Sequence, residues 1–175
     1  MKRSLILSAL ALFALSAPAF ADTSVGVVNI QIIMRDSKAA NSVRDQWKAK
    51  QQSLQAEVDS SGKSLQTEDE ALAAESKTTK DKAAFDAKVK AFQAKAAGIQ
   101  RDLQTKKANF DKALDTALQQ IQGNVLAIVK DVATEKKLNV VLTASTVLYN
   151  DPTLDITTEV QQRLDTKLPT VKVNF

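Results

Sequence analysis

A mirror symmetry in the spacing of apolar residues constrains this chain more than any other sequence feature. At helical spacing, the apolar residues of an outgoing stretch are Val43, Trp47, Leu54, Val58, Leu65 and Leu72, and those of a returning stretch are Phe85, Phe92, Ile99, Leu103, Phe110 and Leu114. Paired from the inside outward, starting with 72 and 85, the two residue numbers of every pair add up to 157. Antiparallel helices need this arrangement, because each apolar layer must meet another at the same height. The spacing predicts a helical hairpin over 37–131 that turns between residues 78 and 79, with its tip near 76–82.

Short apolar segments on either side of the hairpin predict a small body made of residues 22–36 and 132–175. The first part reads as a strand over 24–29 and a brief helix over 30–34, and Asp36 or Ser37 is expected to cap the outgoing helix. The second part reads as strands over 138–142 and 146–149, followed by a helix that begins at Asp155 and carries apolar residues at 156, 160 and 164. Pro169 is expected to end that helix, and no order is predicted for 171–175. The numbers 125 and 32 also add up to 157, so Val125 is predicted to lie near Ile32.

These elements predict a mainly α fold in which a long antiparallel helical hairpin is attached to a small sheet. A sheet with so few strands has open edges, which are prone to pair with other chains. Strands from other copies of the chain would remove those edges. The predicted subunit-interface residues on the strands are Val27, Val28, Val140, Val141, Leu142, Val147 and Tyr149.

The first 21 residues have the pattern of a cleavable secretory signal. A basic start, Lys2 and Arg3, precedes an apolar run over 4–17, and Ala19-Phe20-Ala21 is a small-residue cleavage site. The alternative, a membrane anchor, needs about 20 apolar residues, more than this run supplies. Removing Lys2 and Arg3 from the 24 basic residues leaves 22 against 20 acidic ones, so the mature chain carries only +2. The pattern predicts export of the mature chain, and the periplasm of a Gram-negative bacterium is what the family resemblance given below implies.

The composition excludes several classes of chemistry. The chain has neither cysteine nor histidine, which rules out catalytic groups and metal ligands of those two types. It has no phosphate-binding glycine loop, and its acidic clusters, such as residues 68–70, are most simply charges that solvate helix faces. We therefore expect no cofactor, no metal site and no enzymatic activity.

The hairpin tip is predicted to be basic. Between residues 76 and 95, six lysines face only Asp81 and Asp86, which gives a local charge of +4. The candidate contact residues for anions or client chains are Lys77, Lys80, Lys82, Lys88 and Lys90. Such a patch attracts anionic lipid or lipopolysaccharide phosphates. The alternative is a solvated face that the neighbouring acidic residues neutralise. Nucleic-acid binding is not expected, because aromatic residues do not alternate with these lysines.

Three blocks of the sequence resemble the Skp/OmpH family of periplasmic chaperones. The segment 25–29, Val-Gly-Val-Val-Asn, is similar to the first strand of the family, and the charged hairpin is similar in length and position. The most specific block is Leu-Asn-Val-Val-Leu at 138–142, followed by Val-Leu-Tyr-Asn at 147–150 and Asp-Ile-Thr at 155–157. The family pattern often has Asp at position 143, where this chain has Thr143, which affects a local turn.

The resemblance implies a fold, an assembly and an activity. It implies a homotrimer whose strands close into a small β-barrel and whose three hairpins surround a cavity. It also implies an ATP-independent holdase that keeps unfolded outer-membrane proteins from aggregating. The alternative interpretation is an adaptor whose hairpin docks onto another envelope assembly, although such adaptors usually carry additional β domains that this chain is too short to contain.

Overall fold

Four helices and two short strands make up the regular elements of the computed structural model, which describes residues 23–175. The elements are, in chain order, β1 (Val25–Val28), α1 (Ile30–Asp36), α2 (Lys38–Glu75), α3 (Lys82–Glu135), β2 (Val140–Thr143) and α4 (Thr157–Lys167). Two short 3-10 turns, Ala144–Thr146 and Pro152–Leu154, lie between β2 and α4. The chain is mainly helical with a small sheet. The predicted signal over 1–21 lies outside the described residues.

The two long helices form an antiparallel hairpin that residues 76–81 connect. Helix α2 has 38 residues and α3 has 54, which at 1.5 Å per residue gives lengths of about 57 and 81 Å. Ser37 caps α2, because its Oγ accepts a hydrogen bond from the backbone N–H of Ala40 at 3.2 Å. Asp81 caps α3 in the same way through Ala84. Both helices are rich in Ala, Gln and Lys, which are strong helix formers.

The sheet joins the two ends of the described chain. Strands β1 and β2 run parallel, with Val25 opposite Val140 and Val28 opposite Thr143, and the whole hairpin forms the connection between them. On its other side, β1 makes one bridge, Val27 to Asp155. The outer edge of β2 has no strand partner among the residues that the structure describes.

The core lies where the base of the hairpin meets α1, α4 and the sheet. Its largest fully buried side chains include Ile33 from α1, Val43 from α2, Ile128 from α3 and Leu164 from α4. The apolar residues 156, 160 and 164 all face this core. We call residues 47–110 the arm and the remaining described residues the body.

A tight cap ends α3 and directs the chain into β2. The N–H of Leu138 donates to the carbonyl of Ala133 at 2.8 Å, and the N–H of Lys137 donates to that of Thr134 at 3.2 Å. This pattern is the Schellman motif, which needs a left-handed residue after the helix. That residue is Lys137, with a φ of 56°.

The predicted strand over 146–149 is wrong for the single chain. Residues 144–146 form a 3-10 turn, Val147 is half-buried, and the side chains of Leu148 and Tyr149 are exposed. The apolar pattern alone cannot form a strand, since a strand needs a hydrogen-bonded neighbour. The two strands that do form are shifted slightly from their predicted bounds, and the sheet has two strands instead of three.

Val125 was predicted to lie near Ile32, but the residue of α1 that shares its buried cluster is Ile33. The core cluster that contains Val125 includes Ile33 and is flanked by Ile30 and Met34, whereas Ile32 is half-buried outside it. The reason is that α1 is a separate helix ending at Asp36, so the periodicity of α2 does not continue through it.

The tail, residues 169–175, is packed against the body and the root of the arm. Val171 and Val173 are buried in the core. No order was predicted for residues 171–175, because five residues are too few to show a periodicity.

Candidate functional surfaces

A shallow apolar groove runs along the arm between α2 and α3. One part has a volume of about 460 Å³ and is lined by Leu54, Val58, Leu103 and Phe110 together with glutamines, Lys107 and Asp111. The next part outward has a volume of about 480 Å³, and Val58, Leu65, Ile99 and Leu103 are among its lining residues. The groove therefore offers apolar side chains on a long open surface with polar side chains at its sides.

The structure places the twelve predicted seam residues at different depths. Val43 is buried in the body core and Leu114 lies against it. At the root of the arm the rings of Trp47 and Phe110 stack, with centroids 6.1 Å apart. The remaining eight are only half-buried, except Val58, which is 42% exposed. A two-helix seam buries one stripe of each helix incompletely, so these side chains stay accessible.

Ion pairs on one flank of the arm follow a second mirror rule that the sequence analysis missed. Glu75 pairs with Lys88 at 2.6 Å, Glu68 pairs with Lys95 at 2.6 Å, and Glu57 pairs with Lys106. The two residue numbers of each pair add up to 163. Applying the mirror rule to charged as well as apolar residues would have found this ladder in the sequence.

Lys106 occupies the innermost position of this ladder. It binds two carboxylates, that of Asp102 at 2.8 Å on its own helix and that of Glu57 across the hairpin. These hydrogen bonds, that of Asp102 first, raise the pKa of Lys106.

The five tip lysines fall into two groups. Lys88 is engaged by Glu75, so one member of the predicted basic patch is neutralised by an acidic neighbour. The other four are exposed and, among the described residues, have no carboxylate within 4.0 Å: Lys77, Lys80, Lys82 and Lys90. The free positive charge is thus concentrated at the turn and the first two turns of α3.

The body presents an exposed apolar surface beside the open edge of β2. Val140 and Leu142 point outward from β2, Leu126 on α3 is 56% exposed, and Tyr149 is 82% exposed. A cavity of about 460 Å³ lined by Val28, Leu126, Val141 and other residues lies next to it. We call the exposed residues Leu126, Val140, Leu142, Leu148 and Tyr149 the body patch.

The predicted subunit-interface residues do not all lie on this surface. Val140, Leu142 and Tyr149 are exposed, and Val141 and Val147 are half-buried. Val27 and Val28 are buried within the chain itself. Val28 belongs to the core cluster, and β1 is the inner strand, between β2 and the bridge to Asp155.

Two other kinds of site are absent from residues 23–175. No group of three or more Asp and Glu side chains there is arranged to hold a metal ion. None of the helices in that range combines the length and apolar character that crossing a membrane requires.

The family assignment comes from a family model described as "Outer membrane protein (OmpH-like)", which matches residues 24–164. This match extends from the start of β1 to the buried face of α4. The chain belongs to the OmpH-like family. The resemblance inferred from the three sequence blocks is therefore confirmed.

The fold of this OmpH-like chain also matches a solved structure. That structure is the crystal structure of a candidate outer membrane chaperone (OmpH-like) from Caulobacter crescentus CB15. It is 24% identical in sequence, with a TM-score of 0.78, and the match covers 85% of this chain and 88% of that one. At this identity the likeness shows the fold alone. A search of curated proteins finds no match.

Proposed function

We propose that this OmpH-like chain is an ATP-independent holdase that is exported to the periplasm and binds unfolded outer-membrane β-barrel proteins. The observation that carries the proposal is the half-exposed apolar groove of the arm, lined by Leu54, Val58 and Leu103 among glutamines. A holdase needs many weak contacts with a flexible chain, and a long shallow groove supplies them better than a deep pocket. Membership of the OmpH-like family supports the same role.

The proposed assembly is a homotrimer in which the body patch is covered by other copies. The outer edge of β2 is unpaired among the described residues, and Leu126, Leu142 and Tyr149 of the body are exposed apolar side chains. An open strand edge and an exposed apolar patch each favour association, and a closed ring of strands removes both. Three arms around one axis would enclose a cavity for the client, and the binding would involve no catalytic step.

A refolding experiment tests the holdase. A urea-denatured outer-membrane barrel protein is diluted with and without the mature chain, and light scattering follows its aggregation. We expect aggregation to be suppressed at about one trimer per client chain, without ATP. Unchanged aggregation at that ratio contradicts the proposal. Stoichiometric binding to a single envelope protein, without binding of unfolded barrels, would favour the adaptor alternative.

A groove variant links the activity to the proposed surface. In Val58→Thr combined with Leu103→Gln, two groove side chains become polar while the helices keep their length. We expect the concentration that halves aggregation to rise by about threefold, since each apolar contact contributes to client binding. The matched control is Ala108→Gln, an exposed position of α3 that does not line the groove. Equal effects of the two variants would rule out the groove as the client site.

We also propose that the tip binds anionic phosphate groups at a membrane surface. The supporting observation is the group of exposed lysines that have no carboxylate partner in the described part of the chain, among them Lys77, Lys80 and Lys82. The proposed ligands are anionic lipid and lipopolysaccharide, whose phosphates share the same chemistry. Exposed charges of this kind attract such surfaces over about one Debye length, so binding should weaken with salt.

Vesicle co-sedimentation tests the tip. Three kinds of vesicle are compared, each at low and at high salt: zwitterionic vesicles, vesicles with anionic phospholipid and vesicles with lipopolysaccharide. We expect binding to both anionic kinds and its loss when Lys77, Lys80 and Lys82 are replaced by Ala. The control replaces Lys88, which pairs with Glu75, and should have a smaller effect. Binding that does not depend on these lysines contradicts this proposal and leaves the holdase proposal unaffected.

A further inference from the structure

A side chain of α2 next to the root of the arm binds the backbone of the tail. The amide of Gln46 in α2 donates to the carbonyl of Val171 at 2.7 Å and accepts from the N–H of Val173 at 3.0 Å. This pair of bonds resembles one rung of a β ladder, with a side chain in place of a neighbouring strand. The Gln46 Nε2 also bonds to Ser42 at 3.1 Å, which orients the amide.

The end of the tail covers the aromatic pair at the root of the arm. The ring of Phe175 stacks on that of Phe110, with centroids 5.3 Å apart, and Phe110 in turn stacks on Trp47. The ammonium of Lys50 lies 5.7 Å from the centre of the Phe175 ring, within the range of a cation–π contact. The tail therefore contacts both helices of the hairpin, α2 through Gln46 and Lys50 and α3 through Phe110.

The tail ends at the level where the body stops supporting the arm. In α2 the last buried residue before the tip is Val43, and in α3 the first after it is Phe110. Between 44 and 109, all of which the structure describes, no residue is fully buried. The first glycines beyond this level, Gly62 and Gly98, have open space where a side chain would be. Few buried contacts and helix-interior glycines favour bending in this region.

We propose that the tail is a strap that fixes the root of the arm to the body, with Gln46 as the residue that positions it. The strap runs from α4 through the buried Val171 and Val173 to Phe110. It confines arm movement to the part beyond Trp47 and Phe110. When the strap is released, the arm also pivots at its root, so the spread of arm positions increases.

Spin-label distances measure this spread directly. The chain has no cysteine, so labels at Ala87→Cys near the tip and Thr158→Cys on the body are unique. Labelled chain is assembled with an excess of unlabelled chain, so that most assemblies contain one labelled copy. We expect the width of the tip-to-body distance distribution to increase by about half or more in Gln46→Met and in Phe175→Ala, because each removes contacts that hold the root. Hydrogen exchange of the Val173 amide should accelerate about tenfold in Gln46→Met.

Two controls separate the strap from general loosening. Gln66→Met removes an exposed glutamine of α2 that bonds to Glu70 at 3.0 Å, and Lys172→Ala changes an exposed residue of the tail. Neither should alter the distances or the exchange. Faster hydrogen exchange of the tail with an unchanged tip-to-body distance distribution overturns the proposal. An equal broadening of that distribution in the control variants also overturns it. Because Phe175 is itself partly exposed, Phe175→Ala should remain folded, and no client is used, so the result is independent of the holdase proposal.

Discussion

At the scale of single residues, the hydroxyl of Thr157 joins two distant parts of the chain. Its Oγ1 accepts a hydrogen bond from the N–H of Asn29 at 2.8 Å, and its own N–H donates to the Asp155 carboxylate at 2.7 Å. Thr157 is only 6% exposed. A buried backbone N–H needs an acceptor, because an unpaired one loses its hydration without compensation.

Replacing this hydroxyl should therefore destabilise the body. For Thr157→Val, which keeps the shape but removes the acceptor, we expect a loss of about 1–3 kcal/mol in the free energy of unfolding. Thr157→Ser keeps the acceptor and should cost clearly less. Urea unfolding followed by circular dichroism measures both. A loss in Thr157→Val no larger than that in Thr157→Ser would contradict the importance assigned to the hydrogen bond.

Lys137 is a residue whose replacement should stabilise the protein. It adopts a φ of 56° after α3, a conformation that costs a residue with a side chain about 1–2 kcal/mol and costs glycine little. We expect Lys137→Gly to raise the free energy of unfolding by about 1 kcal/mol. Lys137→Ala removes the charge but keeps the strain, so it should change stability little. A gain in Lys137→Ala of the same size would identify the charge as the cause.

At the scale of elements, the two helices of the hairpin are aligned by the apolar seam and by the ion-pair ladder together. The seam sets the height of the helices relative to each other, and the ladder occupies one flank only. Exposed ion pairs stabilise weakly, typically by 0.2–1 kcal/mol. The ladder therefore contributes little to overall stability. Its main effects are on the register between α2 and α3 and on the side toward which the groove opens.

A double-mutant cycle tests the pairing of Glu68 with Lys95. We expect a coupling energy of about 0.2–1 kcal/mol from Glu68→Gln and Lys95→Met, decreasing as salt is added. The matched cycle uses Asp69→Asn with Lys95→Met, because Asp69 is exposed and makes no ion pair within the described chain. Thermal unfolding of the unmodified chain and of the five variants in the two cycles supplies the coupling energies. A coupling at Asp69 equal to that at Glu68 would contradict the register.

The link between α3 and α4 should depend on pH. Lys136 bonds to Glu159 at 2.9 Å, and Arg163 bonds to both Glu159 and Glu135. The hydrogen bond from Lys136 is the main cause that lowers the pKa of Glu159 below the ordinary 4.5, and Arg163 adds to it. A lowered folded-state pKa stabilises the fold fully above pH 4.5, and this stabilisation is lost as the pH falls through the folded value.

Melting temperatures of the unmodified chain and of Glu159→Gln test this dependence. We expect a constant difference from about pH 8 to pH 5.5 that shrinks as the pH falls below 4.5 and through the lowered pKa of folded Glu159. The difference should be small, since these side chains are partly exposed and screened by solvent. A difference that does not shrink in acid would contradict the assigned ion pairs.

At the scale of the whole molecule, the body combines a well-packed core with a surface that a single chain leaves uncovered. The body patch places Leu126, Leu142 and Tyr149 beside an unpaired strand edge. Apolar side chains that are exposed in the single chain contribute nothing to its own core, so their replacement separates assembly from folding.

Leu126→Glu should therefore change the oligomeric state without unfolding the chain. We expect the mature protein to sediment as a trimer at micromolar concentration and the variant to sediment mainly as a monomer, with helical content retained. Ala127→Glu, the exposed neighbour on another face of α3, is the control and should remain assembled. A monomeric unmodified chain would contradict the trimer, and an assembled Leu126→Glu would exclude this patch from the interface.

Much of the architecture follows from local patterns, and the exceptions share one cause. The turn between 78 and 79 and the buried face at 156, 160 and 164 agree with periodicity, whereas α3 runs to Glu135, past the predicted end of the hairpin at 131. The failed strand at 146–149 and the order of the tail depend on partners elsewhere in the chain or on other copies. The ladder at 57, 68 and 75 was visible in the sequence and was missed because only apolar residues were paired.

The sequence by itself determined the two long helices and where they fold back, because helix propensity acts locally and each long helix carries enough regularly spaced apolar residues for the mirrored pattern to reveal its partner. Only the tertiary structure decided that β1 pairs with β2 in parallel, that Gln46 holds the tail, and that Phe175 stacks on Phe110. These contacts join segments more than 60 residues apart. Segments of four or five residues are too short to show a periodicity from which their partner could be predicted. Their pairing is decided by which apolar surfaces fit together in the packed core.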